Sequence, residues 1–501
     1  MDPAPWAPAE AGGRPWLLAT LLALGVTATV AAAIAGNGSI ATAMAPALAT
    51  ALLGALWVAP LRKSLFVLIF LGLALDQPGD ASGLWQSPVA PLGQLLLANL
   101  NHTVPVDALH MSLMADLLGY LLLIRIHRSL SGSRIDETGR AKPASLLLWA
   151  LAISLLTLLA LSVYGLARGG DIKMVKQQAQ TFGQLLLMAY LLAVSLRGTL
   201  DYRTLGRVVV AAACTKALIA VWVWLTVVSE LPFATTHGDS MLFACALAIL
   251  LGLLFEQPVG RNAGLCVLVL PLLLAGMVAN SRRLVWVEVS TVVFALYAIS
   301  PWTHVKRQCT RAVLLVLPLI LAYGGVGWNS NSRLFAPVRL VRSIGDADLD
   351  ASTRYREIEN YNLIYTLRAN PWLGTGFGHP FTEAVKGDDI SFFKEYRFLP
   401  HNSVLGLWGF GGMLGFTGLW ATVVVGILLA ARSYFRAQSP EGRVAAFAAI
   451  ASVLIYVIHC WGDIGFAEKN SIFLVGSALA VAGRLAQPTS VWTARPATQR
   501  V

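Results

Sequence analysis

Long apolar segments separated by short polar loops occupy most of the chain. Each segment holds about 20 residues, the length that an α-helix needs to cross a hydrocarbon core of about 30 Å. The pattern predicts membrane spans at 16–36, 40–59, 64–76, 107–126, 144–167, 179–196, 206–228, 240–255, 263–280, 284–300, 312–328, 403–431, 444–461 and 471–485. Because the third segment is short enough to be re-entrant, we expect an all-α polytopic integral membrane protein with about 12 to 14 transmembrane helices.

One large polar segment, residues 329–402, interrupts this pattern. It separates the N-terminal transmembrane helices (1–328) from the C-terminal ones (403–485) and from a polar tail (486–501). As the only sizeable polar stretch in the sequence, this loop is where we expect any chemistry to take place.

The loop itself contains a helical pattern. Apolar residues recur at steps of three and four at Ile358, Tyr361 and Ile364, which predicts an amphipathic helix over 357–368. Pro371 ends it, because the residue before a proline is pushed out of the helical region. Ser352 or Thr353 is the candidate N-cap. We expect this helix to lie along the outer surface of the membrane.

The first turn of this helix holds two arginines, Arg354 and Arg356. Facing outwards, they could bind an anionic ligand. They could equally pair with the neighbouring Glu357 and Glu359 as part of a solvated helix face.

The basic residues give the chain a consistent orientation, because lysine and arginine favour cytoplasmic loops. Placing Arg62 and Lys63 in the cytoplasm puts every second loop there. These loops carry most other basic residues outside 329–402, namely Arg125, Arg128, Arg134, Arg140, Lys142, Arg197, Arg203, Arg207, Arg261, Lys306, Arg307, Arg311, Arg432, Arg436 and Arg443. Both termini are then cytoplasmic, and the loop at 329–402 lies outside.

Five basic residues run against this bias and fall on the outer side together with the large loop: Arg168, Lys173, Lys176, Arg282 and Arg283. Their position suggests that something on the outer side needs them. The alternative for Arg282 and Arg283 is that they extend from a helix end to the aqueous interface.

Composition supports a membrane protein and argues against a nucleic-acid partner. The 501 residues are 56% hydrophobic and 13% charged, whereas a soluble chain carries about 25% charged residues. The basic residues that give the net charge of +11 are spread over short loops. The sequence has neither a long basic tail nor a zinc-finger spacing. The five cysteines show no disulfide framework or metal-ligand spacing. We expect no cofactor and no metal, although Asp388 and Asp389 keep a magnesium site open.

Arginine and histidine side chains of the outer side suit the chemistry of a lipid diphosphate. A guanidinium stays charged and presents a planar fork of donors that fits phosphate oxygens. His401 stands where the loop re-enters the membrane, and an imidazole there could take a proton from an attacking hydroxyl. It could also simply hydrogen-bond its own loop. The turn at 374–378, with Gly374 and Gly376, would let the backbone approach a ligand closely.

In these residues the chain resembles the O-antigen ligase/polymerase superfamily of bacterial membrane glycosyltransferases. Four features occur in the order of that family over about residues 265–430: a helix ending in Asn280-Ser281-Arg282, a loop arginine about fifteen residues before Pro371-Trp372-Leu373-Gly374-Thr375-Gly376, the pair His401-Asn402, and a glycine-rich helix. Trp372 departs from the commoner leucine, and the family usually has about 12 spans.

The resemblance implies a GT-C-like enzyme of the bacterial inner membrane with its active site in a large periplasmic loop. It would transfer an undecaprenyl-diphosphate-linked glycan to a sugar hydroxyl with inversion and without a metal. His401 would be the catalytic base, and Arg282 with Arg354 or Arg356 would bind the diphosphate. Further candidates for substrate binding are Arg283, Asn402, Gly374, Gly376, Lys173 and Lys176.

The acceptor separates two versions of this function. A ligase would use lipid A-core, and a polymerase would use a second lipid-linked repeat unit of an O-antigen or exopolysaccharide. Two other classes compete. A lipid-linked oligosaccharide flippase would need charged residues along a cavity within its spans, for which Asp116, Lys216 and Glu288 are candidates. A non-catalytic polysaccharide-export or scaffold protein would use the loop only to bind partners.

Overall fold

The computed structural model describes residues 15–35, 40–75, 87–99, 111–132, 142–227, 234–257, 261–330, 332–335, 338, 342, 351–387 and 395–487. Within them the chain forms helices α1 (Pro15–Ala35), α2 (Ile40–Val58), α3 (Leu61–Ala74), α4 (Ala90–Leu97), α5 (Leu113–Leu130), α6 (Ser145–Ala167), α7 (Ile172–Ser195), α8 (Thr199–Thr226), α9 (Gly238–Glu256), α10 (Arg261–Asn280), α11 (Arg283–Ile299), α12 (His304–Gly327), α13 (Ala351–Ala369), α14 (Ser403–Arg436), α15 (Pro440–Gly462) and α16 (Asn470–Leu485). A short 3₁₀ turn covers Arg333–Phe335. Every apolar segment predicted from the sequence coincides with one of these helices.

Among the described residues, six helices are long and apolar enough to cross a membrane: α6, α8, α9, α12, α14 and α15. Shorter apolar helical stretches occupy Leu22–Ala32, Pro46–Val58, Gly264–Asn280 and Asn470–Leu485. No strand longer than the isolated bridge between Asn99 and Ser112 occurs in the described residues. The expectation of an all-α membrane protein is therefore confirmed, while the number of spans stays a prediction.

The centre of the bundle is α16, in which every residue is buried. It packs against α7, α14 and α15, and α15 packs in turn against α9. Lipid tails are as apolar as leucine, so close packing rather than hydrophobic burial holds membrane helices together. Small residues permit that packing. A Cβ on Gly476 would stand 3.0 Å from the Met188 side chain, and one on Gly426 would stand 2.3 Å from Leu479.

The polar loop contains the predicted helix as α13. It ends at Ala369, one residue before the Asn370-Pro371 pair, as expected from the restriction that a proline imposes. The predicted N-cap is wrong. Because α13 begins at Ala351, Ser352 and Thr353 lie inside its first turn.

The face of α13 that packs on the protein is mostly polar. Glu359, Asn362 and Thr366 are 1–2% exposed, whereas Tyr361 and Tyr365 are about half exposed. The Asn362 amide exchanges two hydrogen bonds with the backbone of Val385, at 2.8 and 2.9 Å. Thr366 Oγ1 accepts a bond from the Thr382 N–H at 2.8 Å. These bonds hold residues 382–385 of the loop against α13.

Residues 371–376 of the loop bind to α14 at a break in that helix. Gly412 has φ of 58° inside that helix, a conformation that favours glycine. The carbonyls of Gly409 and Phe410 accept hydrogen bonds from Thr375 and Gly376, and the Met413 N–H donates to the Pro371 carbonyl. The loop thus completes the hydrogen bonds that the helix loses at its kink. This arrangement places the start of α14, and His401 before it, directly beside α13.

Candidate functional site

The imidazole of His401 is held by a buried carboxylate. His401 Nδ1 lies 3.2 Å from Oε1 of Glu359, whose side chain is 1% exposed, while the histidine side chain is 27% exposed. Oε2 of Glu359 accepts the backbone N–H of His401 at 3.0 Å and that of Asn402 at 3.4 Å. Because a carboxylate accepts, Nδ1 carries the proton, and Nε2 is left as the basic nitrogen of this partly exposed ring.

Glu359 was not among the residues predicted for the site. The alternative in which Glu359 pairs with the loop arginines on a solvated face is wrong, because this carboxylate is buried against His401. Glu357 and Arg354, in contrast, are exposed.

The electrostatics of this pair suit proton transfer. Burial disfavours the charged imidazolium, but the hydrogen bond and the negative charge of Glu359 outweigh burial and raise the pKa of His401 above its ordinary value. The charge of Arg356 acts in the opposite direction. His401 therefore becomes a stronger base than a free imidazole.

Asn402 fixes the turn into α14. Its Oδ1 accepts the Leu405 N–H at 3.1 Å, which makes it the N-cap of the helix. Its Nδ2 donates to Oδ1 of Asn360 at 3.0 Å. The side chain is 4% exposed, so the structure gives Asn402 a positioning role. Direct contact between Asn402 and a substrate stays a prediction.

Asp463, at the end of α15, lies among histidines from three parts of the chain. It pairs with His237, which precedes α9, and it is within electrostatic range of His459 and His401. Burial favours the neutral acid, but these histidines outweigh it and hold the pKa of Asp463 well below its usual range. An ionised carboxylate therefore lies within electrostatic range of His401. Neither Asp463 nor His237 was predicted as a site residue.

Two arginines share this region. Arg282 follows α10, and burial lowers its pKa to about 10, against the attraction of Asp463 and together with the repulsion of Arg356. Asp463 offsets the repulsion between the two guanidinium groups in part, and an anion bound between them would offset it further. The pair therefore forms a candidate binding site for a diphosphate.

The geometry separates the two loop arginines of α13. Arg356 lies within electrostatic range of both Arg282 and His401. Arg354 is exposed, whereas Arg356 is half-buried. Since residues two apart on a helix point in different directions, Arg356 is the better candidate for the diphosphate.

The remaining basic candidates lie elsewhere at this end of the bundle. Lys173 is exposed in the first turn of α7, which Asp171 caps. Lys176, one turn on, has Asp116 of α5 as its electrostatic neighbour. Arg283 is the first residue of α11. Participation of these three side chains in binding stays a prediction.

The two glycines predicted to approach a ligand instead approach the protein itself. A Cβ on Gly374 would stand 2.3 Å from the carbonyl of Phe410, and one on Gly376 would stand 2.6 Å from Gly165. Both have positive φ, at 66° and 84°. The structure thus gives Gly374 and Gly376 a role in docking the loop on α6 and α14, and ligand binding by them stays a prediction.

Lys216 and Glu288, two of the charged residues within the spans, each have a buried partner. Lys216 and Asp239 form an ion pair at 3.4 Å with both side chains at most 2% exposed. His459 Nδ1 and Glu288 Oε1 are 2.8 Å apart in a similarly buried site. Lys216 and Glu288 therefore do not line an open cavity of the kind that the flippase alternative needs.

The described residues contain no group of three or more His, Cys, Asp or Glu side chains arranged to hold a metal ion. Asp388 and Asp389 lie outside the described residues. The expectation of metal-free chemistry did not consider the alternating aspartates Asp346, Asp348 and Asp350 as metal ligands. These also lie outside the described residues, so a requirement for a divalent cation is a matter for experiment.

A scan against protein-family models finds no family that matches this chain, and a search of curated proteins finds no match either.

Proposed function

We propose that this chain is a bacterial inner-membrane glycosyltransferase of the O-antigen ligase/polymerase type. The observation that carries the proposal is the His401–Glu359 pair, whose partly exposed imidazole lies within electrostatic range of Arg356. A base beside clustered guanidinium groups suits the transfer of a glycan from a lipid diphosphate to a hydroxyl.

In the proposed reaction, His401 Nε2 removes the proton from a sugar hydroxyl of the acceptor. The acceptor oxygen attacks the anomeric carbon, a new glycosidic bond forms with inversion, and the bond from that carbon to the diphosphate oxygen breaks. Glu359 holds the ring by its Nδ1–H and stabilises the imidazolium that forms. The bonding electrons leave with undecaprenyl diphosphate.

Arg282 and Arg356 would bind the diphosphate before and after bond cleavage. Negative charge builds up on the leaving oxygen in the transition state, and preorganised guanidinium groups stabilise it there. The dianion would relieve their mutual repulsion, which adds to burial in lowering the pKa of Arg282. The proposed mechanism therefore gives these arginines a role in donor binding and in catalysis.

The proposed enzyme is GT-C-like, with 12 to 14 transmembrane helices as predicted from the apolar segments. The alternation of basic loops supports cytoplasmic termini and a periplasmic loop that contains α13. The donor is an undecaprenyl-diphosphate-linked glycan, and the acceptor is lipid A-core for a ligase or a second lipid-linked repeat unit for a polymerase.

The test is a transfer assay with purified protein, an undecaprenyl-diphosphate oligosaccharide and each acceptor in turn, with EDTA and with Mg²⁺. Product on lipid A-core identifies a ligase, and longer lipid-linked chains identify a polymerase. Product formation in EDTA supports metal-independent transfer, whereas a strict need for Mg²⁺ would assign a role to aspartates such as Asp346 and Asp348.

An outcome without product is also informative. If neither acceptor is glycosylated but lipid-linked glycan moves across a liposome bilayer, the proposal is wrong and the flippase alternative takes its place. If the protein binds the donor without transfer or movement, an export or scaffold protein is the better description.

A further inference from the structure

A basic cavity lies at the opposite end of α14 from His401. The helix starts beside the histidine at Ser403 and ends at Arg436, and 34 residues at 1.5 Å per residue correspond to about 50 Å. A cavity of about 530 Å³ opens there, between the ends of α14 and α16. It is separate from the candidate site described above.

The cavity wall carries arginines without an acidic counterpart. Arg432 and Arg436 are one turn apart on α14 and are exposed. Within the part of the chain that the structure describes, neither forms a hydrogen bond or an ion pair. The amide side chains of Gln438 and Gln487 also line this cavity. Five donors on each guanidinium are thus available to an anion.

Other arginines at the same end of the bundle behave differently. Arg203 pairs with Glu441 at 3.1 Å, and Arg443 pairs with Glu256 at 2.6 Å. The charge of the cavity is therefore not a general property of this surface.

Next to the cavity, α14 presents an apolar stripe. Phe435 is 72% exposed, Leu428 55% and Val424 62%. At 100° per residue these three side chains fall within about 40° of one another around the helix, and Arg432 follows about 40° from Leu428. Cationic groups above a strip of apolar residues match an amphiphile with an anionic headgroup and acyl chains. A free anion would use the arginines alone.

We propose that this cavity binds the phosphate headgroup of an anionic phospholipid, from the membrane leaflet opposite the candidate site. The phosphate contacts Arg432 and Arg436, and an acyl chain lies along Leu428 and Val424. Basic pockets at the ends of transmembrane helices are suited to such headgroups.

The experiment measures phosphatidylglycerol binding to the delipidated full-length protein by native mass spectrometry. The test variant is Arg432→Gln/Arg436→Gln. Arg307→Gln/Arg311→Gln is the matched control, because Arg307 and Arg311 are also exposed and one turn apart, on α12, but do not line this cavity. Both variants lose the same charge.

We expect affinity for phosphatidylglycerol to fall roughly 25-fold in the test variant, since each exposed arginine in contact with the phosphate contributes about fivefold. The control should bind like wild type, and phosphatidylcholine should bind weakly to all three. If the double variant does not fold, Arg436→Gln alone should show a loss of about fivefold.

Equal losses in the test and control variants would overturn the proposal, because they would indicate a general charge effect. Unchanged binding in the test variant would overturn it as well. Complete displacement of phosphatidylglycerol by millimolar inorganic phosphate would show a site for free anions and would contradict the assignment to a lipid.

Discussion

At the end of the bundle that holds Arg62, each of three arginines has its own carboxylate, whereas at the end that holds His401 several cations share a few acids. The first group pairs at 2.6–3.1 Å as Arg62–Asp201, Arg203–Glu441 and Arg443–Glu256. In the second group, Arg282, His237 and His459 all interact with Asp463. One-to-one pairs neutralise charge locally and hold helices together. A shared network leaves positive charge for a ligand.

This difference indicates which charged residues have a role in function and which in stability. A paired arginine at a helix end contributes about 1 kcal/mol or less to stability and needs no further explanation. A guanidinium whose pKa is lowered by burial and by a second guanidinium has a cost that a bound anion removes. Arg282 belongs to the second kind.

The largest expected effect is that of His401→Ala. Loss of the general base should lower the transfer rate by about 10²- to 10⁴-fold, as measured with purified protein under saturating donor. The matched control is His379→Ala, in the same loop. The His379 ring lies 3.1 Å from the Gly165 carbonyl, and that carbonyl also accepts two backbone bonds. Similar losses in both variants would mean that the histidines of the loop at 329–402 are needed for folding rather than for proton transfer.

The second effect concerns the arginine pair. Arg356→Ala should lower kcat/KM for the donor by roughly 10- to 100-fold, the loss expected for a hydrogen bond to a charged group. Arg354→Ala, two residues away on the exposed side of α13, should change it by about threefold at most. Arg282→Lys should restore part of the activity that Arg282→Ala loses, because charge is kept and the fork is lost. The assignment fails if Arg354→Ala is the more damaging change in α13.

A third prediction uses pH. His401 acts in its neutral form, so the rate should fall as pH drops through its raised pKa. Glu359→Gln removes the interaction that raises this pKa, and burial then lowers it. The acid limb of the pH–rate profile should shift to lower pH while the plateau rate decreases, because the base is weaker. An unshifted acid limb would show that Glu359 does not control His401.

The smallest effect on activity is expected at the opposite end. Arg443→Gln breaks the pair with Glu256 and should lower the free energy of unfolding by about 1 kcal/mol. Thermal unfolding should therefore begin at a lower temperature, and kcat/KM should equal that of wild type. A loss of activity without a loss of stability would contradict the purely structural role assigned to the Arg443–Glu256 pair.

Much of the fold follows from the sequence, because membrane helices need long apolar segments and little else at this length scale. The helix α13 and its end before Pro371 were predicted from the sequence, but the apolar residues used for that prediction, such as Tyr361 and Ile364, are exposed, and a polar face packs on the protein. His401, Arg282 and Arg356 stood out as polar residues on the outer side. Their mutual proximity, however, depends on how α10, α13 and α14 pack.

The residues that sequence reasoning missed are those whose role depends on contacts distant in sequence. Glu359 lies 42 residues from His401 and sits beside Arg356 in a pattern typical of a solvated helix face. A signal was present in the sequence, since Glu359, Asn362 and Thr366 recur at steps of three and four and form the polar buried face. His237 and Asp463 follow no recognisable motif. They meet because α9 and α15 pack side by side.

The central claim is tested most directly by the stoichiometry of the reaction with purified protein and an isotopically labelled undecaprenyl-diphosphate glycan. We expect one undecaprenyl diphosphate to be released for each new glycosidic bond on the acceptor, with inverted anomeric configuration. Without the acceptor we expect no release. Release of the lipid diphosphate without a new glycosidic bond would describe a hydrolase. Neither release nor transfer, with both acceptors supplied, would contradict the assignment of a glycosyltransferase.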